Sequence, residues 1–208
     1  MKKILCYGDS NTWGCSPRDS SRFDKNTRWP MVMQSKIGSN YTVIEEGLNG
    51  RTVLNLSLVN SEANGIEWIG LMINNYIPLD IVLISLGLND VFIAEDASLQ
   101  EISDGIEEII NIIRDSHVSA GFQIPQIIIM APPGYNADVE GSDFFELQIN
   151  KLKVLPDSLR SLSIKQNCLF FNSADYVKGS SIDGSHLEAE SHIILGTEIA
   201  EYISSRIK

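Results

Sequence analysis

Two hydrophobic rhythms alternate along this chain. Short unbroken apolar runs end at glycine or at polar residues, and between them isoleucine and leucine recur every three or four positions. Unbroken apolar runs of this length fit parallel strands buried on both faces. They predict strands over residues 4–7, 41–44, 80–85, 126–130 and 168–172. The wider spacing predicts helices. One covers residues 28–37, with Pro30 in its first turn, where proline is tolerated. A second covers 65–76, carries Ile66, Ile69 and Ile73 at helical spacing, and is stopped by Pro78. A third opens at Ser98, where Ser98 and Glu101 match a capping box and Ile102, Ile106, Ile109, Ile110 and Ile113 form one stripe. Residues 144–163 read as helix that Pro156 must kink or interrupt. Residues 188–207 close the chain as helix. Strand and helix alternate about five times, so the expected fold is α/β: a five-stranded parallel sheet with helices on both faces.

Composition narrows the class. The 208 residues suit one domain spanning 1–208, and 43% apolar residues are enough for a sizeable core. The formal net charge of -11 comes with no Lys/Arg cluster, which argues against nucleic acid and against an anionic membrane surface. No apolar run approaches the ~20 residues of a membrane span, and no signal-peptide pattern opens the chain. Cys6, Cys15 and Cys168 lack metal-like spacing; Cys6 and Cys168 fall in strand-like runs and read as core. These features predict a reduced, cytoplasmic protein whose partner is a small molecule, and they allow a homo-oligomer.

The candidate chemistry lies at strand ends. The first strand runs into Gly8, and Asp9 and Ser10 are good starters of a helical turn. That puts the Ser10 hydroxyl at the carboxyl end of a strand, where open α/β sheets place ligands. A general base must come from three histidines. His117 reads as a solvated residue at a helix end, and His192 as packing or surface within the last helix. His186 differs: it follows the last strand in a glycine-containing loop, with Asp183 three residues earlier. A catalytic imidazole needs an acceptor on its second nitrogen, and Asp-x-x-His supplies one locally. Read alone, the same segment is also an aspartate cap at a helix entry. In a parallel sheet, Ser10 and His186 share one edge, and a serine needs a base to become a nucleophile. Donors for an oxyanion are available from the Ser10 N–H, the Gly50 N–H and the Asn89 side chain. His186 and Glu190 have helical spacing, but two ligands do not make a zinc site. Neither a metal nor another cofactor is expected.

Four blocks carry a resemblance: Gly8-Asp9-Ser10, Asn49-Gly50-Arg51-Thr52, Gly87-Leu88-Asn89-Asp90 and Asp183-Gly184-Ser185-His186. In this order they resemble the GDSL, or SGNH, hydrolase family, across nearly the whole chain. Thr12-Trp13, Arg28-Trp29, residues 43–48 and Pro78-Leu79-Asp80 are similar to its arylesterase and acyltransferase (perhydrolase-like) branch. The resemblance implies a flavodoxin-like three-layer αβα sandwich and a serine esterase for small acyl esters, with acyl transfer to alcohols or peroxide. Ser10 would be the nucleophile, His186 the base and Asp183 its orienting partner. Two positions depart from the family pattern: Asn11 stands where leucine follows the serine, and Leu88 where threonine often precedes the asparagine. Asn11 and Trp13 are expected to shape the substrate pocket, Trp13 by walling the acyl group. Asp9 and Asp90 are expected to orient loops. A deacetylase of O-acetylated sugars would use the same machinery. A flavodoxin-like binding module for phosphate or flavin is the non-enzyme alternative, but no Gly-rich phosphate loop is present and it leaves Asp183 and His186 without a role.

Overall fold

The computed structural model describes residues 1–54, 63–94 and 96–207. Five parallel strands form one sheet: β1 (Lys2–Gly8), β2 (Tyr41–Gly47), β3 (Ile81–Ser85), β4 (Gln126–Ala131) and β5 (Leu169–Asn172), in the order β2-β1-β3-β4-β5. The central strands carry unbroken apolar runs at residues 4–7, 81–84 and 127–131 because both faces are covered. Side chains alternate between faces along a strand. Leu5, Tyr7, Val82, Ile84, Ile127 and Ile129 enter one core, under α3 (Gly65–Met72), α5 (Leu99–Ser119) and α6 (Glu146–Lys165). Ile4, Cys6, Ile81, Leu83, Ile128 and Met130 enter the other, under α2 (Trp29–Ile37) and α7 (Ala189–Arg206). This is the expected three-layer α/β sandwich. No helix among the described residues is long and apolar enough to cross a membrane.

Two short helices complete the sheet's carboxyl edge: α1 (Ser10–Trp13) after β1, and α4 (Leu88–Ile93) after β3. Asp9 caps α1 by accepting from the Asn11 N–H at 3.0 Å. The Ser98–Glu101 capping box at the start of α5 is present in both directions. Of the two outcomes expected at Pro156, interruption does not occur: α6 runs through it. Proline deprives the Leu152 carbonyl of its helical donor, but Leu152, Leu155, Leu159 and Leu162 are all buried along this helix, and their burial outweighs one missing bond of about 1 kcal/mol. His117 also corrects its reading. It is fully buried rather than solvated; its Nε2 accepts from the Leu79 N–H at 3.1 Å, and its Nδ1 lies 2.7 Å from the Ile113 carbonyl. His192 is packing: it is buried against Phe23 with Nδ1 facing the Trp29 N–H, and burial lowers its pKa to about 3. Cys6 is core as read, and Cys168 is half-buried.

Candidate active site

Ser10 opens the one-turn helix α1, so its N–H has no helical acceptor. Its Oγ lies 3.0 Å from His186 Nε2, and His186 Nδ1 lies 2.6 Å from Asp183 Oδ2. The carboxylate selects the tautomer with a proton on Nδ1, leaving Nε2 to accept from the serine. Asp183 does more than meet the ring. Its Oδ1 accepts from the Ser180 hydroxyl and from the N–H groups of Ser185 and His186, at 2.9, 3.1 and 3.0 Å. One side chain thus fixes both the backbone and the imidazole of His186. Burial alone would raise the Asp183 pKa; the bonds from His186 and Ser185 overcome it and hold the carboxyl below the ordinary range. The turn needs Gly184. Its φ of +77° is left-handed, and a Cβ there would meet the Tyr135 ring at 2.3 Å.

Asn89 sits in the first turn of α4, and its Nδ2 donates to the Arg51 carbonyl at 2.9 Å. That bond orients the amide at the cavity wall. Gly50, one residue earlier, has φ +75° in a turn closed by the Arg51 N–H on the Leu48 carbonyl. Arg51 is buried over Tyr7, 4.4 Å from the ring centroid, and donates to the carbonyls of Gly8 and Glu46. It ties together the ends of β1 and β2. Asp90 accepts from the N–H groups of Val53 and Leu54, both at 2.9 Å, and so anchors the continuation of the same segment. Burial raises Asp9 and Asp90 each to about 6. Both carboxyls have the loop-orienting contacts expected of them.

Ser10, Asn89, Asp183 and His186 open on a cavity of about 270 Å³ whose remaining walls are Leu88, Phe92, Tyr135, Phe145 and Ser185. The Phe92 ring stacks on Tyr135 at 5.4 Å and meets Phe145 edge-on at 5.8 Å. Gly50, Asn11 and Trp13 are not among these lining residues. For Trp13 the reason is sheet order. Helix α1 packs on β2, so closely that a Cβ on Gly47 would fall 2.1 Å from the Trp13 nitrogen. The cavity opens the other way, toward β3 and β4. The Trp13 ring is covered by the Arg22 guanidinium at 5.3 Å instead. Asn11 is buried and turns toward the base. Its Nδ2 donates to the Ser185 carbonyl at 3.1 Å and its Oδ1 accepts from the Leu187 N–H at 3.0 Å. These bonds bracket His186 from both sides. Leucine could make neither, so the departure from the family pattern is a polar clamp, not a pocket wall. The aromatic wall itself escaped sequence reading. Phe92, Tyr135 and Phe145 come from three separate segments, and no motif in the sequence links them.

The comparisons with known proteins point to one family and one fold. The model of the GDSL-like Lipase/Acylhydrolase family matches residues 6–192. An aryl esterase from M. smegmatis is 28% identical, with 99% of each chain covered and a TM-score of 0.90. Est24, a carbohydrate acetylesterase from Sinorhizobium meliloti, is 30% identical over 99% of each chain, with a TM-score of 0.89. A putative arylesterase from Agrobacterium tumefaciens str. C58 is 27% identical over 99% of each chain, with a TM-score of 0.91. A search of curated protein sequences finds no significant match. A strand-end serine, a histidine held by its own turn's aspartate, and a family match covering every one of these residues lead to one conclusion: the chain belongs to the GDSL-like lipase/acylhydrolase family.

Proposed function

We propose that this protein hydrolyses short-acyl carboxylic esters through an acyl-Ser10 intermediate. The observation that carries the reading is the Ser10–His186–Asp183 chain of hydrogen bonds, 3.0 and 2.6 Å long, opening into a small aromatic-walled cavity. Ser10 Oγ bonds to the ester carbonyl carbon while His186 Nε2 takes its proton. The carbonyl oxygen becomes an oxyanion, and the donors proposed for it are the Ser10 N–H, the Asn89 amide and the Gly50 N–H. Gly50 stays in this set because the Asn89 amide is tied to the neighbouring residue's carbonyl. Collapse breaks the bond to the alcohol oxygen, which receives the proton from His186. Water then repeats the sequence on acyl-Ser10, releasing the acid and restoring the serine. An added alcohol or hydrogen peroxide competes with water for the same intermediate. Asp183 holds the tautomer and supports the imidazolium. No step calls on a cofactor.

Short acyl groups follow from the walls. Phe92, Tyr135 and Phe145 pack on one another, and a cavity of about 270 Å³ must hold the carbonyl and its substituents together. Hydrolysis of p-nitrophenyl esters from acetate to palmitate tests this. The expected kcat/KM is highest for acetate or propionate and falls with length; a steady rise toward palmitate would overturn it.

Asn89→Ala tests the oxyanion assignment. The Asn89 bond strengthens as charge develops on the oxygen, so kcat should fall by roughly 10² to 10³ with little change in KM. A rise in KM at constant kcat would make Asn89 a substrate-binding group instead.

A further inference from the structure

Among the described residues, three hydrogen bonds join α1 to the turn that carries His186. One is the Ser10–His186 bond at 3.0 Å. The other two belong to Asn11, which donates to the Ser185 carbonyl at 3.1 Å and accepts from the Leu187 N–H at 3.0 Å. The bonds of Asp183 do a different job. They run to Ser180, Ser185 and His186, all within the turn itself. They fix the imidazole relative to its own loop, not relative to Ser10. On its other side the turn is tied to the segment after β4, where the Asn136 N–H donates to the Gly184 carbonyl at 2.9 Å. Asn11 is only 2% exposed, and both ends of its amide are paired with the base turn. Its own N–H is held by Asp9 Oδ1 at 3.0 Å, so the clamp is anchored one peptide from the nucleophile.

The reaction changes which of these bonds survive. In the free enzyme the Ser10 hydroxyl donates to His186 Nε2. In acylation Oγ bonds to the ester carbonyl carbon, its proton passes through Nε2 to the alcohol oxygen, and the bond from carbon to that oxygen breaks. The Oγ of acyl-Ser10 then carries no proton and has nothing to donate to a neutral imidazole. One of the three bonds is gone. Deacylation still needs Nε2 in the same place. It takes a proton from water as the water oxygen bonds to the acyl carbon, then returns a proton to Oγ as the C–Oγ bond breaks. A reacting group misplaced by about 1 Å can cost on the order of a hundredfold in rate.

We propose that Asn11 is the positioning residue of the second half-reaction: once the Ser10–His186 bond is lost, its bonds to Ser185 and Leu187 keep His186 over the acyl-enzyme, a role that rests on the ester-hydrolase reading above. Acylation depends on Asn11 less, because the serine hydroxyl is then still bonded to the base.

Asn11→Leu keeps a branched side chain, removes both bonds and separates the two halves of the reaction. With p-nitrophenyl acetate, the acetyl-Ser10 adduct, followed by intact-protein mass after rapid removal of substrate, should decay about tenfold more slowly or slower still than in the original. A burst of p-nitrophenol should precede the steady state. kcat and KM should fall together, while kcat/KM, which reports only the steps through acylation, stays within about threefold of the original. Asn11→Ala should show the same split. It adds no bulk and leaves room for water at the two freed backbone groups, so its folding does not depend on how leucine packs. A purely structural role would instead lower the thermal midpoint and reduce kcat and kcat/KM equally, with no adduct accumulating. That result, or adduct decay unchanged in both variants, would overturn the role of Asn11 and leave the hydrolase intact. An original protein that neither cleaves this ester nor takes a serine-directed phosphonate at Ser10 would overturn the hydrolase reading, and the role with it.

Discussion

Ser10→Ala is expected to lower kcat on a short-acyl ester by roughly 10⁶, the loss seen when a serine hydrolase is deprived of its nucleophile. The size follows from what remains. Removing Oγ leaves His186 held by Asp183, and it leaves the backbone and Asn89 donors in place, but it takes away the oxygen beside Nε2 that is proposed to bond to the carbonyl. Water would have to enter in place of the hydroxyl of a residue that is only 5% exposed. The fold should not change, because Asp9, not Ser10, accepts the capping bond of α1, so circular dichroism and thermal midpoint should match the original. A serine-directed phosphonate should modify the original at Ser10 and leave the variant unmodified. Full activity in the variant, or modification at another serine, would end the assignment.

Asp183→Asn should cost about 10⁴ in kcat. The replacement is nearly isosteric, and its remaining oxygen can still accept from Ser180, Ser185 and the His186 N–H. The change falls on the other atom. Where Oδ2 accepted from His186 Nδ1 at 2.6 Å, an amide nitrogen now donates. The imidazole answers by moving its proton to Nε2, so the nitrogen facing Ser10 becomes a donor and cannot take the serine's proton. KM should change little, since the substitution acts on the proton position of the histidine and not on the size of the cavity. The tautomer is readable directly from imidazole ¹⁵N shifts, which should exchange character between the two nitrogens. An Asp183→Asn variant of full activity, with some other carboxylate essential, would move the acid of the relay elsewhere.

The same residues show how far the chain could be read without its structure. Strands are plain because a parallel strand covered on both faces carries an unbroken apolar run, as at residues 81–84. Ser10, Asn89, Asp183 and His186 were legible because the chain delivers polar groups abruptly at the ends of such runs, and parallel strands bring those ends to one edge. Side-chain direction was not legible. Helix α1 is a single turn and presents no stripe, so nothing in the sequence said that Trp13 would face β2 or that Asn11 would reach the base turn. His117 was misread because the demand for it comes from the backbone of Leu79, far away in sequence. Pro156 does not end α6 because the leucines buried beside it hold the helix on the sheet, which local rules do not count.

The Asn11 clamp has a consequence for the order of folding. Its two bonds, and the Ser10–His186 bond beside them, close loops of 174 and 176 residues. Contacts of such separation repay their closure entropy late, after the sheet between them exists. A chain with β1 to β4 assembled already holds Ser10, the proposed nucleophile, and the Asn89 amide at their strand ends, yet it lacks His186, the proposed base. The base arrives only when the segment after β5 docks, and Asn11 is the group waiting to receive it. Hydrolysis through the proposed Ser10–His186 pair is thus expected to be the last property the folding chain acquires, with a partly assembled form catalytically silent.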